Sequence, residues 1–282
     1  LPDATFANKS KRMETIGYLA SLIIGVSLGL IGGGGSILTV PILVYLLGVE
    51  PIVATAYSLF IVGTTSLVGV IPKYRQGLVN IKTALLFGTT SITTVFLSRR
   101  LLVPLIPETI VDTPHLLLTR NTLMMVLFAL LMVGASLSMI RSRQQDCTGE
   151  TADTPASNGS LLLKGAMVGI ITGLVGAGGG FLIIPALVLL GKLPMKNAVG
   201  TSLLIIAAQS LIGFTGDLVH FTIHWALLLP VSLLAIAGIF LGNYLSTRFN
   251  GQQLKKGFGW FVLLMGGYIL LKELVLSHSL LR

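Results

Sequence analysis

The chain has 282 residues, of which 53% are hydrophobic and only 10% charged, whereas a soluble domain carries about 25% charged residues. A water-soluble surface of this size is excluded, and the net charge of +9 reads as Lys and Arg orienting short loops against a membrane rather than as a nucleic-acid surface. A single cysteine, Cys147, excludes an internal disulfide and any multi-cysteine metal site.

Leu1–Arg12 is a polar leader set aside from fold reasoning, because the apolar sequence opens at Met13. A first membrane repeat over 13–140 holds five apolar segments: Thr15–Ile31, Ser36–Leu47, Pro51–Ile71, Ile81–Leu97 and Leu123–Ile140. A polar linker without periodicity follows over 141–160. The second repeat, 161–282, holds Leu161–Val175, Phe181–Leu190, Met195–Phe214, Ile223–Thr247 and Phe258–Leu276. Most segments suffice to cross about 30 Å of hydrocarbon at a rise of about 1.5 Å per residue. Ser36–Leu47 and Phe181–Leu190 reach only roughly 15–18 Å on that rise and predict half-helices. The runs are continuous rather than alternating, which argues against a transmembrane barrel. The predicted class is an all-α polytopic membrane protein.

Each half-helix follows a glycine-rich break, and the break is duplicated. Gly29-Leu-Ile-Gly-Gly-Gly-Gly-Ser-Ile-Leu-Thr-Val-Pro41 matches Gly173-Leu-Val-Gly-Ala-Gly-Gly-Gly-Phe-Leu-Ile-Ile-Pro185, a gapless offset of 144 residues (29 to 173). The same offset aligns Ala54 with Ala198, Ser58 with Ser202, Ser66 with Ser210, and Gly69 with Gly213. Five segments per half is odd, so successive repeats are expected to be inverted; four crossings per half would make them parallel. Ten segments with the N-terminus outside place Lys73, Arg75, Lys82, Arg141, Arg143, Lys164, Lys192, Lys196, Arg248, Lys255 and Lys256 inside, as the positive-inside rule prefers. Glu50, Glu108, Asp112 and Asp217 then fall outside. The expectation is two inverted five-segment repeats with Gly-rich broken helices, a recognised pointer to the substrate site of a secondary transporter.

Unwound backbone at membrane depth is tolerated only against protein or a water-filled cavity. A helix restarting there presents unpaired N–H groups and the positive end of its dipole, which suits an anion without any basic side chain. The expected substrate-binding residues are therefore Gly33, Gly34, Gly35, Ser36, Gly178, Gly179 and Gly180, with Ser36 as the cap of the restarting helix. The competing reading makes the glycines close-packing surfaces. Pro41 and Pro185 each remove one backbone hydrogen bond from a half-helix. The full-length helix after each break carries a polar stripe: Thr55, Ser58, Thr65 and Gly69 in one copy, Ser202, Gln209, Gly213 and Gly216 in the other. Ser58, Thr65, Ser202 and Gln209 join the expected site, although Ser and Thr in membrane helices also serve as packing or bond back to their own helix. Asp217, His220 and His224 read as a solvated loop, with Asp217 and His220 as the residues that would couple a proton. Arg99 and Arg100 read as snorkelling to a membrane face, the sharper alternative being attraction of an anion at a vestibule.

No P-loop, no His-Glu-x-x-His and no Gly-x-Ser-x-Gly elbow is present. The run from Gly25 to Val44 with Ala54–Leu59, and its second copy from Gly169 to Val188 with Ala198–Leu203, resembles the TauE/SafE family of sulfite exporters. The resemblance covers Met13 to about Leu276. It implies a multi-pass permease of the bacterial inner membrane exporting sulfite, sulfoacetate or another organosulfonate. The expected function is export of a small sulfur-containing anion by alternating access, driven by a proton or ion gradient. An uncoupled anion channel-like pore and an intramembrane enzyme are the alternatives. Expected partners are the small anionic substrate and the lipid bilayer, with a homodimer as the one assembly considered; no cofactor or metal is expected.

Overall fold

Residues 17–30, 32–33, 35–107, 109–113, 116–141, 158–175, 180–189, 193–218, 220–246 and 251–279 are described by a computed structural model. The polar leader, most of the linker with Cys147, and Gly34, Gly178 and Gly179 lie outside the described residues.

Helix α1 spans Gly17–Leu30. The chain then passes Gly32, whose φ of 81° lies in the left-handed region that only glycine enters at little cost. Helix α2 restarts at Ser36–Pro41. Pro41 has no N–H, and the helix widens into a π-helical turn, Ile42–Leu46, closed by the Leu47 N–H donating to the Ile42 carbonyl at 3.2 Å. A Cβ on Gly17 would meet the Leu47 side chain, and one on Gly35 would meet Ile24, Ser27 and Leu28. α1 and α2 are thus a hairpin whose two outer ends lie together.

Helix α3, Pro51–Arg75, begins with Pro at its first position, where the missing N–H costs nothing. Helix α4, Ile81–Leu97, is capped by Asn80, whose side chain accepts from the Thr83 N–H. It continues through a π-helical turn, Ser98–Leu102, into Val103–Leu105. Strands β1, Thr109–Thr113, and β2, Leu116–Thr119, form an antiparallel hairpin. This stretch falls between apolar segments in the sequence, and its Thr, Ile and Val residues favour extended backbone. Helix α5 is Arg120–Arg141. The second half supplies α6, Asn158–Val175; α7, Gly180–Leu189; α8, Met195–Asp217; α9, Trp225–Ser246; and α10, Gly251–Ser279. The ten expected segments are all helices, several longer than predicted because polar ends extend the hydrogen-bond ladder past the apolar run.

Among the described residues four helices are long and apolar enough to cross a membrane: Pro51–Arg75, Ile81–Leu105, Lys196–Asp217 and Trp225–Leu245. The polar-striped α3 and α8 form the buried centre, while Leu85, Leu163, Leu233, Phe240 and Leu264 on the surrounding helices face outward. An apolar exterior around a Ser- and Thr-bearing interior is the pattern that lipid as solvent imposes. The protein is a multi-pass membrane protein.

The helix pairs obey the 144-residue offset. Gly69 packs on Leu203 and Ile239, and Gly213 on Leu59 and Val95. Gly25 and Gly29 of α1 sit against the backbone of α9 at Ala235 and Ile239, while Gly169 and Gly173 of α6 sit against α4 at Ser91 and Val95. The His224 N–H donates to the Tyr57 hydroxyl at 2.7 Å, and the Asn80 N–H donates to Thr201 Oγ1 at 2.9 Å. Every contact named here has its counterpart with the halves exchanged. Along α3 the contacts run Leu59, Gly63, Gly69 while along α8 they run Gly213, Leu211, Leu203, so these two helices cross antiparallel.

Candidate functional site

The register of the α3–α8 crossing has its midpoint near Thr64 and Ala208. Gly33 of the first break meets Gly180 beside α8, between the levels of Val199 and Ile206. A Cβ on Gly180 would lie 2.6 Å from the Gly33 carbonyl oxygen and 2.9 Å from Ile206 Cδ1, and one on Gly33 would meet the Gly180 backbone in return. Glycine is required at both positions because two backbones occupy the space where a side chain would sit. Gly180 is the first described residue of α7 and Gly35 immediately precedes α2, so the starts of two helices lie beside this contact, where a helix presents the positive end of its dipole.

Ser36 begins α2 as its first helical residue; Gly35 holds the cap position and no side chain caps the helix. The expected capping role of Ser36 is corrected: Gly35 already has helical dihedrals, φ −68° and ψ −25°, which draws the helix start one residue forward.

The polar stripes divide into three kinds. Thr65 Oγ1 donates to the Ile61 carbonyl at 2.6 Å and Ser202 Oγ to the Val199 carbonyl at 2.8 Å, so these hydroxyls are spent on their own helix turn. Gln209 is a bridge: its Oε1 accepts from Ser91 Oγ of α4 at 2.5 Å and its Nε2 donates to Thr172 Oγ1 of α6 at 3.0 Å. The offset gives Thr65, Ala235 and Leu28 at the equivalent positions, which cannot build a second bridge. Ser58, Ser66 and Ser210 are buried with hydroxyls that have no hydrogen-bond partner among the described residues. Leaving such a group unpaired is costly, so these hydroxyls are available to a ligand or a bound water. Ser58 and Ser202 stand about six residues from the midpoint toward opposite ends, so roughly 18 Å of helix separates them. Ser66 and Ser210 lie within a turn of the midpoint. They escaped the site prediction, and their equivalence under the offset was the available signal.

At one end of the crossing lies a second polar cluster. Arg99 and Asp217 are both fully buried, with Nη1 and Oδ2 3.2 Å apart. Arg99 Nη1 also donates to Thr55 Oγ1 at 2.9 Å, and Thr55 Oγ1 donates to the Ile52 carbonyl at 2.7 Å. The snorkelling expected of Arg99 is overturned: the π-helical turn carries this side chain inward, while the neighbouring Arg100 is exposed and lies over the Phe96 ring at 5.9 Å. The solvated loop expected of Asp217 is corrected likewise, since it closes α8 inside the protein. His220 and His224 are exposed.

The Sulfite exporter TauE/SafE family profile matches residues 17–269. A "Probable membrane transporter protein" of Xylella fastidiosa (strain 9a5c) is 32% identical over 255 residues, covering 88% of this chain and 91% of that protein. The "Probable membrane transporter protein YunE" of Bacillus subtilis is 29% identical over 263 residues, 83% of this chain and 88% of that one. A "Probable membrane transporter protein" of Methanocaldococcus jannaschii is 26% identical over 244 residues, 82% and 84% of the two chains. No solved structure matches at a significant level.

Proposed function

The chain belongs to the sulfite exporter TauE/SafE family of membrane transporters, and we propose that it exports sulfite or an organosulfonate across the bacterial inner membrane by alternating access. The observation that carries this reading is the direct contact of Gly33 with Gly180 beside α8. The starts of α2 and α7, with the unpartnered Ser66 and Ser210 hydroxyls within a turn of the crossing midpoint, would offer donors to a small oxyanion.

The mechanism follows from two inverted five-segment repeats, 13–140 and 161–282. Their inversion is supported by the antiparallel α3–α8 crossing, because equivalent helices of parallel repeats would run in the same direction. Rocking one repeat against the other about the glycine contact exposes the site to each face in turn. Lys73 and Lys196 lie near one another at one end of the crossing; the positive-inside rule makes that the cytoplasmic end. Asp217 and His220 sit at the other end, where proton exchange with the outside would couple export to a gradient.

Purified protein in proteoliposomes tests this reading. With an imposed proton gradient, labelled sulfite or sulfoacetate is expected to move against its own concentration gradient. Flux that only dissipates the anion gradient would establish an uncoupled pore instead.

A further inference from the structure

Arg99 is the bulkiest fully buried side chain among the described residues, and only part of its guanidinium is used. Nη1 faces both Thr55 and Asp217. Nε and Nη2 are equally buried and have no hydrogen-bond partner among the described residues. Those two nitrogens form the side edge of the guanidinium, a planar fork whose parallel N–H bonds match two oxygens of a carboxylate, sulfonate or sulfite. Asp217 does not fill it. Its Oδ2 lies 3.2 Å from Nη1 and leaves the Nε/Nη2 edge unpaired among the described residues. A buried ion pair this incompletely bonded is a poor source of stability, since desolvation of both charges is not recovered. A latch built only to hold α4 on α8 would be expected to use the fork.

The cluster lies at one end of the α3–α8 crossing. Thr55 and Asp217 are each about nine residues from the midpoint, roughly 14 Å along the helices, and so at one mouth of the crossing. The equivalent positions at the other mouth hold Val199, Asn243 and Lys73, so no carboxylate–guanidinium pair is repeated there. Exposed Arg100 and His220 stand at the same end as the pair, and Arg100 adds positive potential there.

We propose that the Nε/Nη2 edge of Arg99 binds the transported oxyanion at this mouth, and that Asp217 is an internal competing anion holding the guanidinium when no substrate is bound. The identity of the oxyanion rests on the anion-transport reading above. The test is titration calorimetry of sulfite and of methanesulfonate into purified wild type, Arg99→Lys, Arg99→Gln and Asp217→Asn, with melting temperatures measured alongside. Arg99→Lys keeps a cation for Asp217 but has no fork: at least a tenfold rise in Kd with near-wild-type melting is expected. Arg99→Gln is expected to abolish binding. Asp217→Asn removes the competitor and is expected to lower Kd several-fold. If Asp217→Asn does not insert, Arg99→Lys decides alone. Equal Kd for wild type and Arg99→Lys would overturn the fork while leaving the transport reading in place. Absence of binding of either anion to both wild type and Asp217→Asn would remove the cargo assignment as well.

Discussion

Adding one methyl at the glycine contact is the sharpest perturbation the structure offers. In Gly180→Ala the new Cβ would sit 2.6 Å from the Gly33 carbonyl oxygen and 2.7 Å from its Cα. Carbon–oxygen contacts begin near ~3.3 Å, so the overlap is roughly 0.7 Å. It falls on backbone, which cannot rotate away as a side chain does. Overpacking of this kind costs about 1–3 kcal/mol. At about 1.4 kcal/mol per tenfold, the arrangement in which the breaks touch loses roughly five- to 150-fold in population. Turnover that passes through this arrangement slows by a similar factor. The assay is flux of labelled sulfite or sulfoacetate into proteoliposomes, normalised to inserted protein. Gly267→Ala is the control, because a Cβ there meets nothing within 4 Å, and it is expected to match wild type. A Gly180→Ala variant transporting at the wild-type rate would refute the assignment of the contact to the transport cycle and leave it a packing feature.

Three further outcomes are expected. Gln209→Leu severs the α8 bridge to both Ser91 and Thr172 and is expected to cost about 1–2 kcal/mol, at roughly 0.6 kcal/mol per bond plus repacking, in SDS-denaturation measurements. Thr65→Val, whose hydroxyl bonds its own helix, is expected to cost clearly less, and an equal loss would contradict the bridge. Tyr57→Phe and Thr201→Val each leave one backbone N–H, that of His224 or Asn80, without its acceptor; each should cost about 1 kcal/mol, and unequal costs would count against a shared role for the two bonds. For orientation, Gln76→Cys and His220→Cys occupy equivalent positions under the offset, and both native residues are exposed. In a Cys147→Ser background, an impermeant thiol reagent is expected to reach the two from opposite faces of the membrane; labelling from one face would rule out inverted repeats.

The sequence alone determined the class, the ten helical segments and the duplicated breaks. Composition decides the solvent, and continuous apolar runs decide the helices, because unpaired backbone cannot face lipid. The offset from Gly29 to Gly173 also carried the halves' equivalence, which the paired contacts of Gly69 and Gly213 follow. What it could not decide was the use of each polar group. Thr65, Ser66, Ser202 and Gln209 look alike on a helical wheel, yet two hydroxyls bond back, one has no partner among the described residues, and the amide ties three helices together. Those outcomes depend on which neighbour a crossing brings within hydrogen-bond reach. Arg99 shows the limit most plainly. Its position near a helix end predicts snorkelling, and only the π-helical turn and the arrival of Asp217 and Thr55 from α8 and α3 turn it inward. Local chain chemistry fixes where helices begin and end, but the burial of a charge is decided by partners far away in the sequence.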